Sequence, residues 1–443
     1  MILSSLLATG GYIGLALWGT SFASLALFSV AISIGLGFAD VIVDGFVVER
    51  SSPDTIGANQ ALCWRAKGWG ILFASLFSGL LLQRAVFSSV LTTSPMTSWL
   101  LIHFPASFST QMIGQINMLD IRYLLLFTGL WPVLTLILSM SLREPTSAPA
   151  ANHPLSLPTI LTALLAFTST TVVILGLHAH QTASTLGVIL IWSTWIAFYL
   201  RSLIRHNMAT ATLLFSALFL FLWRFTPSFG APWSNYYLNT LHLSPEKLGL
   251  LGALSSVSWI LGTWIYNRFL DNIPLKKLLF WTVLIGVVVS FTQLTLATPE
   301  LGFALGRLPL IKYTAALLLY PIYFIVYPGH AWGELMTQPS ILNLDAILSF
   351  LLEILFMISF LPLLKLAAKV TPSGVEATNF SILASVMNLG LAFGSISGGW
   401  IYTYVEGTYQ IAQFTFTGLH LTIFIGAATS LICLPVLRKL KDV

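Results

Sequence analysis

Two aspartates on one apolar stretch are suited to proton chemistry. Asp40 and Asp44 are four positions apart, so an α-helix places both carboxylates on the same face. Two carboxylates this close repel each other when both are ionised, and burial penalises the charge further, so one of them can hold a proton near neutral pH. The pair is therefore a candidate proton-coupling element. The alternatives are solvation of Asp44 near the helix end, or ion pairs with Arg65 or Lys67.

Arg224 is the clearest candidate for binding an anion. It lies well inside an apolar run, and that run contains no acidic neighbour. Pro227 leaves a backbone carbonyl near Trp223 without its helical hydrogen bond, which indicates an opened helix. Since a guanidinium group forks onto carboxylates, Arg224 either holds an anionic substrate or pairs with a carboxylate of another helix. The candidate partners are Asp40, Asp345 and Glu353.

Arg65 and Lys67 have two interpretations that depend on where their helix begins. If it begins near Ala58, both residues are about two turns deep and can receive an anionic ligand. If it begins near Ala66, both are ordinary cations of the cytoplasmic side. The sequence leaves both interpretations open.

The remaining acidic residues in apolar stretches also have structural interpretations. An ionisable group inside the bilayer costs about 2.5–3.5 kcal/mol on insertion scales, so each is a functional candidate by default. Asp345 and Glu353 are eight positions apart, which places them on nearly the same helix face. Glu49 is expected to form a local ion pair with Arg50. Glu376 is expected to stabilise the start of its helix.

The composition excludes a soluble protein. Of the 443 residues, 56% are hydrophobic and only 8% charged, and the mean hydropathy is +0.88; soluble domains are about a quarter charged. The net charge of +5 therefore reflects membrane topology rather than nucleic-acid binding. Cys63 and Cys433 lie in apolar stretches and predict neither a disulfide framework nor a metal site. Protease, hydrolase and nucleotide-binding motifs are absent, so we predict neither an enzyme nor a cofactor.

Apolar runs predict an all-α polytopic membrane protein with about 12 spanning helices, because about 20 helical residues cross the hydrocarbon core. The weakly apolar segment 92–119 is expected to be an extramembrane loop. A shorter run at 313–328 contains two prolines and is expected to lie at the interface or to re-enter the membrane. The predicted spans are 2–19, 22–48, 60–84, 121–141, 157–177, 184–204, 210–238, 246–268, 276–297, 341–368, 376–403 and 411–436.

Basic residues predict the orientation. If 313–328 does not span, 14 of the 20 Lys and Arg residues fall on one side of the membrane and five on the other. The positive-inside rule then places the C-terminus in the cytoplasm. We therefore expect a multi-pass protein of the cytoplasmic (inner) membrane or its equivalent.

Four segments resemble the folate-biopterin transporter family, a branch of the major facilitator superfamily. They fall in the expected order across most of the chain. The resemblance implies a two-bundle architecture and proton-coupled carriage of folates, pterins or related metabolites such as S-adenosylmethionine. The segments are FADVIVDGFVVER at 38–50, ANQALCW at 58–64, FLWRFTPS at 221–228 with SNYYLNTLHLSPEKLGLLG at 234–252, and PSGVEATNFSILASVMNLG at 372–390.

The resemblance also implies residues that line a transport pathway. Those of the N-terminal half are Asp40, Asp44, Glu49, Gln60 and Trp64. Those of the C-terminal half are Arg224, Asn235, Tyr237, Asp345 and Glu376.

Three features depart from the family pattern. On this resemblance, the first two helices of the family are expected to have no counterpart in this sequence. Arg65, Lys67 and Arg224 stand where uncharged residues are expected, so the preferred substrate can differ. Segment 157–204 is expected to be an inserted helical hairpin, and 299–340 is expected to enlarge an outer loop.

These expectations combine into one architecture and one leading hypothesis. The chain is expected to consist of an N-terminal bundle at 1–142, a cytoplasmic linker with the inserted hairpin at 143–208, and a C-terminal bundle at 209–443. The leading hypothesis is symport of a folate-like or pterin-like anion with protons across the lipid bilayer. The alternatives are a non-transporting membrane scaffold derived from such a carrier, and a carrier of another metabolite such as S-adenosylmethionine.

Overall fold

The computed structural model is almost entirely helical, and the described part of the chain divides between two compact units. The first unit comprises Met1–Phe46 and Asp120–Ala211, and the second comprises Val47–Leu119 and Thr212–Val443. The residues that the structure describes are 1–52, 55–82, 121–141, 165–166, 168–173, 176–177, 181–205, 211–226, 233, 236–326, 329–371, 376–404, 409–411 and 414–440.

Within the described residues, sixteen helices and two short strands are numbered in chain order. Two π-helical turns, Tyr236–Thr240 and Tyr266–Leu270, lie on either side of the seventh helix. The elements are α1 (Ile2–Trp18), α2 (Phe22–Arg50), α3 (Ile56–Leu82), α4 (Ile121–Ser141), α5 (Gln181–Arg205), α6 (Ala211–Arg224), α7 (Pro245–Ile265), α8 (Leu275–Thr292), α9 (Leu294–Ala297), α10 (Pro299–Gly306), α11 (Pro309–Val326), α12 (Ala331–Thr337), α13 (Ser340–Lys369), α14 (Glu376–Tyr404), β1 (Tyr409–Ile411), β2 (Phe414–Phe416), α15 (Gly418–Ser430) and α16 (Cys433–Lys439).

In the first unit, α1 packs closely against α2 and also contacts α4. A Cβ atom added to Gly35 of α2 would lie 2.6 Å from the backbone nitrogen of Ala8 in α1. A residue without a side chain is therefore required for this approach. Trp18 and Phe28 stack between the same two helices, with ring centroids 6.3 Å apart. These contacts support the helix that carries Asp40.

In the second unit, α7 packs against both α3 and α13. It begins with Ser244 as N-cap, whose hydroxyl accepts a hydrogen bond from the backbone N–H of Lys247, and with Pro245 in its first turn. A Cβ atom added to Gly262 of α7 would lie 2.9 Å from the Cβ of Met357 in α13, so the two backbones approach closely there. The helices α3, α7 and α13 carry most of the candidate site.

The prediction of a polytopic helical membrane protein is confirmed. The count of about 12 spans and the three-segment division of the chain remain predictions. The expected loop at 92–119 and most of the expected span at 157–177 lie outside the described residues. Within the described part of the chain, seven helices are long and apolar enough to cross a membrane: Phe22–Val48, Glu246–Leu270, Leu275–Ala297, Pro309–Val326, Ser340–Lys369, Asn379–Thr403 and Gly418–Lys439.

Segment 299–340, expected to enlarge an outer loop, is mostly helical. Pro299 and Pro309 lie in the first turns of α10 and α11, where a missing N–H breaks no helical hydrogen bond. Helix α11 continues through Pro321 and reaches 18 residues, and one of its faces is buried in the same core as α7 and α13. Its length therefore suffices for a crossing, whereas the sequence predicted an interfacial or re-entrant piece.

Two predicted spans have different boundaries in the structure. Helix α6 stops at Arg224, inside the expected span 210–238, as the proline at 227 predicts. Before α15, the strands β1 and β2 pair in antiparallel register with Tyr409 opposite Phe416. This strand pair was not predicted. Its signal in the sequence is the alternation of aromatic and polar residues at 414–416.

Candidate functional site

Five aromatic side chains from four helices of the second unit form one connected group, here named the aromatic cluster. Ring centroids lie 4.6 Å apart for Trp64 and Phe360, 5.9 Å for Trp259 and Phe356, and 5.6 Å for Phe356 and Phe360. Trp223 lies 6.3 Å from both phenylalanines. These separations are typical of favourable aromatic pairs. Trp64 belongs to α3, Trp223 to α6, Trp259 to α7, and both phenylalanines to α13.

Arg224, the last residue of α6, lies against the aromatic cluster. Its Cζ atom is 5.2 Å from the ring centroid of Phe360, 5.7 Å from that of Trp223 and 5.9 Å from that of Phe356. Within the described part of the chain Arg224 forms no ion pair, and its Nε is buried without a hydrogen-bond partner. Cation–π contacts hold the group in place but offset only part of the cost of burying a charge.

Helix packing fixes the position of Arg224. A Cβ atom added to Gly390 of α14 would lie 2.5 Å from the backbone oxygen of Phe221 and 3.1 Å from the Cβ of Arg224. One turn later, a Cβ atom on Gly394 would lie 2.5 Å from the backbone oxygen of Thr226. These two glycines therefore let α14 pack directly against the end of α6.

Arg65 and Lys67 lie inside α3 and not at its start. Because α3 begins at Ile56, both residues are about two turns deep in the helix. The Nζ of Lys67 lies 4.5 Å from the ring centroid of Trp64, and the Nε of Arg65 donates a hydrogen bond to Thr263 of α7 at 3.4 Å. Lys67 thus contacts a ring of the aromatic cluster, and Arg65 contacts α7, the helix that carries Trp259.

Glu353 brings a carboxylate to the same cluster. The indole Nε1 of Trp259 donates a hydrogen bond to Glu353 Oε2. Among the described residues this is the one hydrogen bond that Glu353 accepts, and its Oε1 takes part in none. A carboxylate, an arginine and a set of aromatic rings therefore meet in one region. Such a combination can bind a flat ring that carries both hydrogen-bond donors and an anionic substituent.

Asp345 lies two turns before Glu353 on α13 and is only 2% exposed. Ser349 donates a hydrogen bond to its Oδ1 at 3.0 Å, and the hydroxyl of Tyr237 approaches the same carboxyl group. The structure therefore brings together two residues that the family resemblance implied, Tyr237 and Asp345. Of these two residues, Asp345 lies on the same helix as Glu353.

The implied residues of the N-terminal half differ in burial. Asp40 is exposed, whereas Asp44 is 8% exposed, and both lie on α2 in the first unit. Gln60 lies on α3 one turn before Trp64; it is 1% exposed, and its amide atoms have no hydrogen-bond partner among the described residues. The side chains of Glu49 and Glu376, and all of Asn235, lie outside the described residues.

Four aromatic residues of the cluster were not predicted as site residues. Trp223 was noted only as a neighbour of Arg224, and Trp259 lies in an apolar helix where tryptophan is also typical of membrane interfaces. The available signal was the spacing on α13, where Glu353, Phe356 and Phe360 follow one another at intervals of three and four.

A family model and one known protein resemble the chain in sequence over most of its length. The model of the BT1 family matches residues 1–299 and 346–442, which include all four segments of the family resemblance. A folate-biopterin transporter of Synechocystis sp. is 24% identical over 99% of this chain and 67% of its own length. The probable folate-biopterin transporter 4 of Arabidopsis thaliana is 23% identical over 43% of this chain and 32% of its own length.

Two further similar proteins are a transporter of Plasmodium falciparum and a bacterial protein of known structure. Folate transporter 1 of Plasmodium falciparum is 26% identical over 48% of this chain and 35% of its own length. The chain thus spans two thirds of the Synechocystis protein and about a third of each of the other two relatives. A bacterial homologue of the iron transporter ferroportin, solved in an outward-facing state, is 14% identical over 99% of this chain and 98% of its own, with a TM-score of 0.31.

Proposed function

The chain belongs to the BT1 family, and on that premise we propose that it is a secondary transporter of a folate-like or pterin-like organic anion. The observation that carries the proposal is Arg224, a buried guanidinium against the aromatic cluster with no carboxylate partner among the described residues. A heteroaromatic ring stacks on such a cluster, and a carboxylate on that ring forks onto the guanidinium. The names of the Synechocystis and Plasmodium relatives support this substrate class.

Uptake into proteoliposomes tests the proposal. Radiolabelled folate or pterin is expected to accumulate with the wild type and to fall to background with Arg224→Gln, because the anion loses its buried counter-charge. Arg307→Gln is the matched control, since Arg307 is an exposed arginine between α10 and α11. Uptake by Arg224→Gln at the wild-type rate would contradict the proposal. Absence of any wild-type uptake would instead favour the non-transporting scaffold.

A cationic substrate is the second candidate, and Glu353 is the observation that favours it. Its carboxylate lies beside Trp259 and accepts one hydrogen bond from a neutral donor. A sulfonium ion such as that of S-adenosylmethionine can bind between a carboxylate and aromatic faces. Accumulation of S-adenosylmethionine in place of folate, abolished by Glu353→Gln and retained in Arg224→Gln, would support this candidate over the anion.

We further propose that protons drive the transport. The chain offers two pairs of acidic residues for this role, Asp40 with Asp44 on α2 and Asp345 with Glu353 on α13. Asp40→Asn is expected to abolish uptake driven by a pH gradient, while exchange of internal for external substrate persists. The control is Glu334→Gln, which removes an exposed carboxylate of α12. Unchanged gradient-driven uptake by Asp40→Asn would contradict a coupling role for this residue.

The proposal includes an orientation and an architecture. We propose that the protein lies in the inner membrane of the cell, or its equivalent, with its C-terminus in the cytoplasm. We also propose that its helices form two bundles. The spanning length of α11 makes orientation a sharp test, because one additional crossing would move the C-terminal lysines to the other side. Lys439→Cys is expected to react with an impermeant thiol reagent only after the membrane is opened. Labelling of intact cells would contradict this orientation.

A further inference from the structure

We propose that Glu353 selects the substrate by its ring edge, binding a heteroaromatic ring in which a ring N–H stands beside an exocyclic amino group. This inference rests on the proposed function and names the part of the substrate that the carboxylate recognises. Arg224 then takes the anionic substituent of the same molecule. The substrate class is therefore a flat ring with an amino–amide edge at one end and a negative charge at the other.

Glu353 has fewer hydrogen-bond donors around it, among the described residues, than a carboxylate can accept. In the described part of the chain it forms no ion pair and accepts one hydrogen bond, from Trp259 to Oε2. A carboxylate has two oxygens and about four acceptor positions, and a charge in a spanning helix requires several donors. A ligand with two parallel N–H groups supplies the donors that the protein does not.

The amino–amide edge of such a ring is geometrically complementary to the carboxylate of Glu353. A ring N–H and a neighbouring amino group present two parallel donors in one plane, as a guanidinium group does toward a carboxylate. The plane of such a ring can stack on the indole of Trp259, which holds the carboxylate from the side. A ring with a carbonyl in place of the amino group would instead oppose an acceptor to the carboxylate.

The two charged groups, Glu353 and Arg224, are linked by rings of the aromatic cluster. Phe356 lies 5.9 Å from the ring of Trp259, the partner of Glu353, and also 5.9 Å from the Cζ of Arg224. One connected set of rings thus contacts the guanidinium directly and contacts the carboxylate through the indole of Trp259. In addition, the buried Nε1 of Trp64 has no partner among the described residues and can donate to a ring acceptor.

The test compares two ring compounds that differ at one substituent. Pterin-6-carboxylate carries the amino–amide edge, and lumazine-6-carboxylate has a carbonyl in place of the amino group. Isothermal titration of the full chain in lipid nanodiscs measures the affinity for each. We expect the wild type to bind the amino compound at least about tenfold more tightly, since a mismatched edge leaves a buried acceptor unpaired.

Glu353→Gln is the variant that separates recognition from a structural role. A glutamine amide offers one donor and one acceptor, so it complements the lumazine edge and mismatches the pterin edge. The preference for pterin-6-carboxylate is therefore expected to disappear or reverse in this variant. A general loss of structure would instead lower the affinity for both compounds equally. Glu334→Gln, which removes an exposed carboxylate outside the cluster, is expected to keep the wild-type ratio.

The possible outcomes distinguish this inference from the proposed function. Equal wild-type affinities for the two compounds, or an unchanged ratio in Glu353→Gln, would overturn the role of Glu353 while leaving transport of pterin-like anions intact. Binding of neither compound to the wild type would contradict both. The wild-type comparison requires no variant, so a failure of Glu353→Gln to fold does not remove the test.

Discussion

Two partly buried cations of the second unit have different surroundings. Lys365, near the end of α13, lies 2.7 Å from the Oδ1 of Asp271 and also donates to the backbone oxygen of that residue. Arg224, at the end of α6, contacts three aromatic rings and no carboxylate among the described residues. Lys365 therefore has its counter-charge within the fold, whereas we propose that a ligand supplies the counter-charge of Arg224.

On the proposed function, this difference separates a structural cation from a binding cation. Removing one member of a buried pair leaves the other charge uncompensated, so the loss of Lys365 is expected to destabilise the fold. Removing a charge that has no partner relieves a desolvation cost, so the loss of Arg224 is expected to spare the fold and to impair binding.

The largest expected effect is on the preference of Arg224 for an anionic ligand. The wild type is expected to bind pterin-6-carboxylate at least about 30-fold more tightly than the corresponding carboxamide, because a desolvated charge pair is worth about 2–5 kcal/mol. Arg224→Gln is expected to bind both compounds equally in a calorimetric titration. Arg307→Gln serves as the control and should keep the wild-type ratio. A wild-type ratio near one would contradict the assignment.

The next largest effect concerns the Asp271–Lys365 pair. Lys365→Met is expected to lower the free energy of unfolding by about 2 kcal/mol, since it leaves the carboxylate of Asp271 unpaired and mostly buried. Denaturant titration in micelles measures this change. The double variant Asp271→Asn with Lys365→Met should lose less than the sum of the single variants. Additive losses would show that the two residues do not stabilise each other.

The smallest effect concerns the helix end beside this pair. A Cβ atom on Gly57 of α3 would lie 2.1 Å from the Oδ1 of Asp271, so Gly57→Ala displaces the carboxylate or the helix. We expect a loss of about 1 kcal/mol in the free energy of unfolding. Gly70→Ala on the same helix has open space around its added methyl group and should be neutral or slightly stabilising. Equal effects of the two changes would contradict the steric account.

The charged residues of the candidate site were easier to identify from the sequence than its aromatic residues. Arg224 and Glu353 were identifiable because a charge in an apolar helix is costly and therefore informative. Trp259 and Phe360 were not, since aromatic residues in such helices are equally typical of interfaces and cores. Spacing along one helix cannot reveal that rings from four helices meet. Only tertiary packing, here through close approaches such as that at Gly262, brings them together.

The fold was predictable at the level of class and family. Composition predicted the helical membrane protein, and the four segments predicted the family that the family model confirms. Local boundaries were harder to predict, as the structure of α11 illustrates. The prolines at 321 and 328 suggested an interruption of the run at 313–328, yet Pro321 is tolerated inside α11. The second of these prolines lies outside the described residues. The start of α3 at Ile56 was likewise left open by composition.

One measurement tests the central contrast directly, namely thermal unfolding with and without pterin-6-carboxylate for the wild type, Arg224→Gln and Lys365→Met. A ligand that binds the folded state raises the unfolding temperature, and the rise grows with the logarithm of the ligand concentration divided by Kd. We predict that the wild type and Lys365→Met are stabilised by the ligand, although Lys365→Met unfolds at a lower temperature without it. Arg224→Gln should match the wild type without ligand and gain nothing from it. Ligand stabilisation of Arg224→Gln equal to that of the wild type would contradict the account.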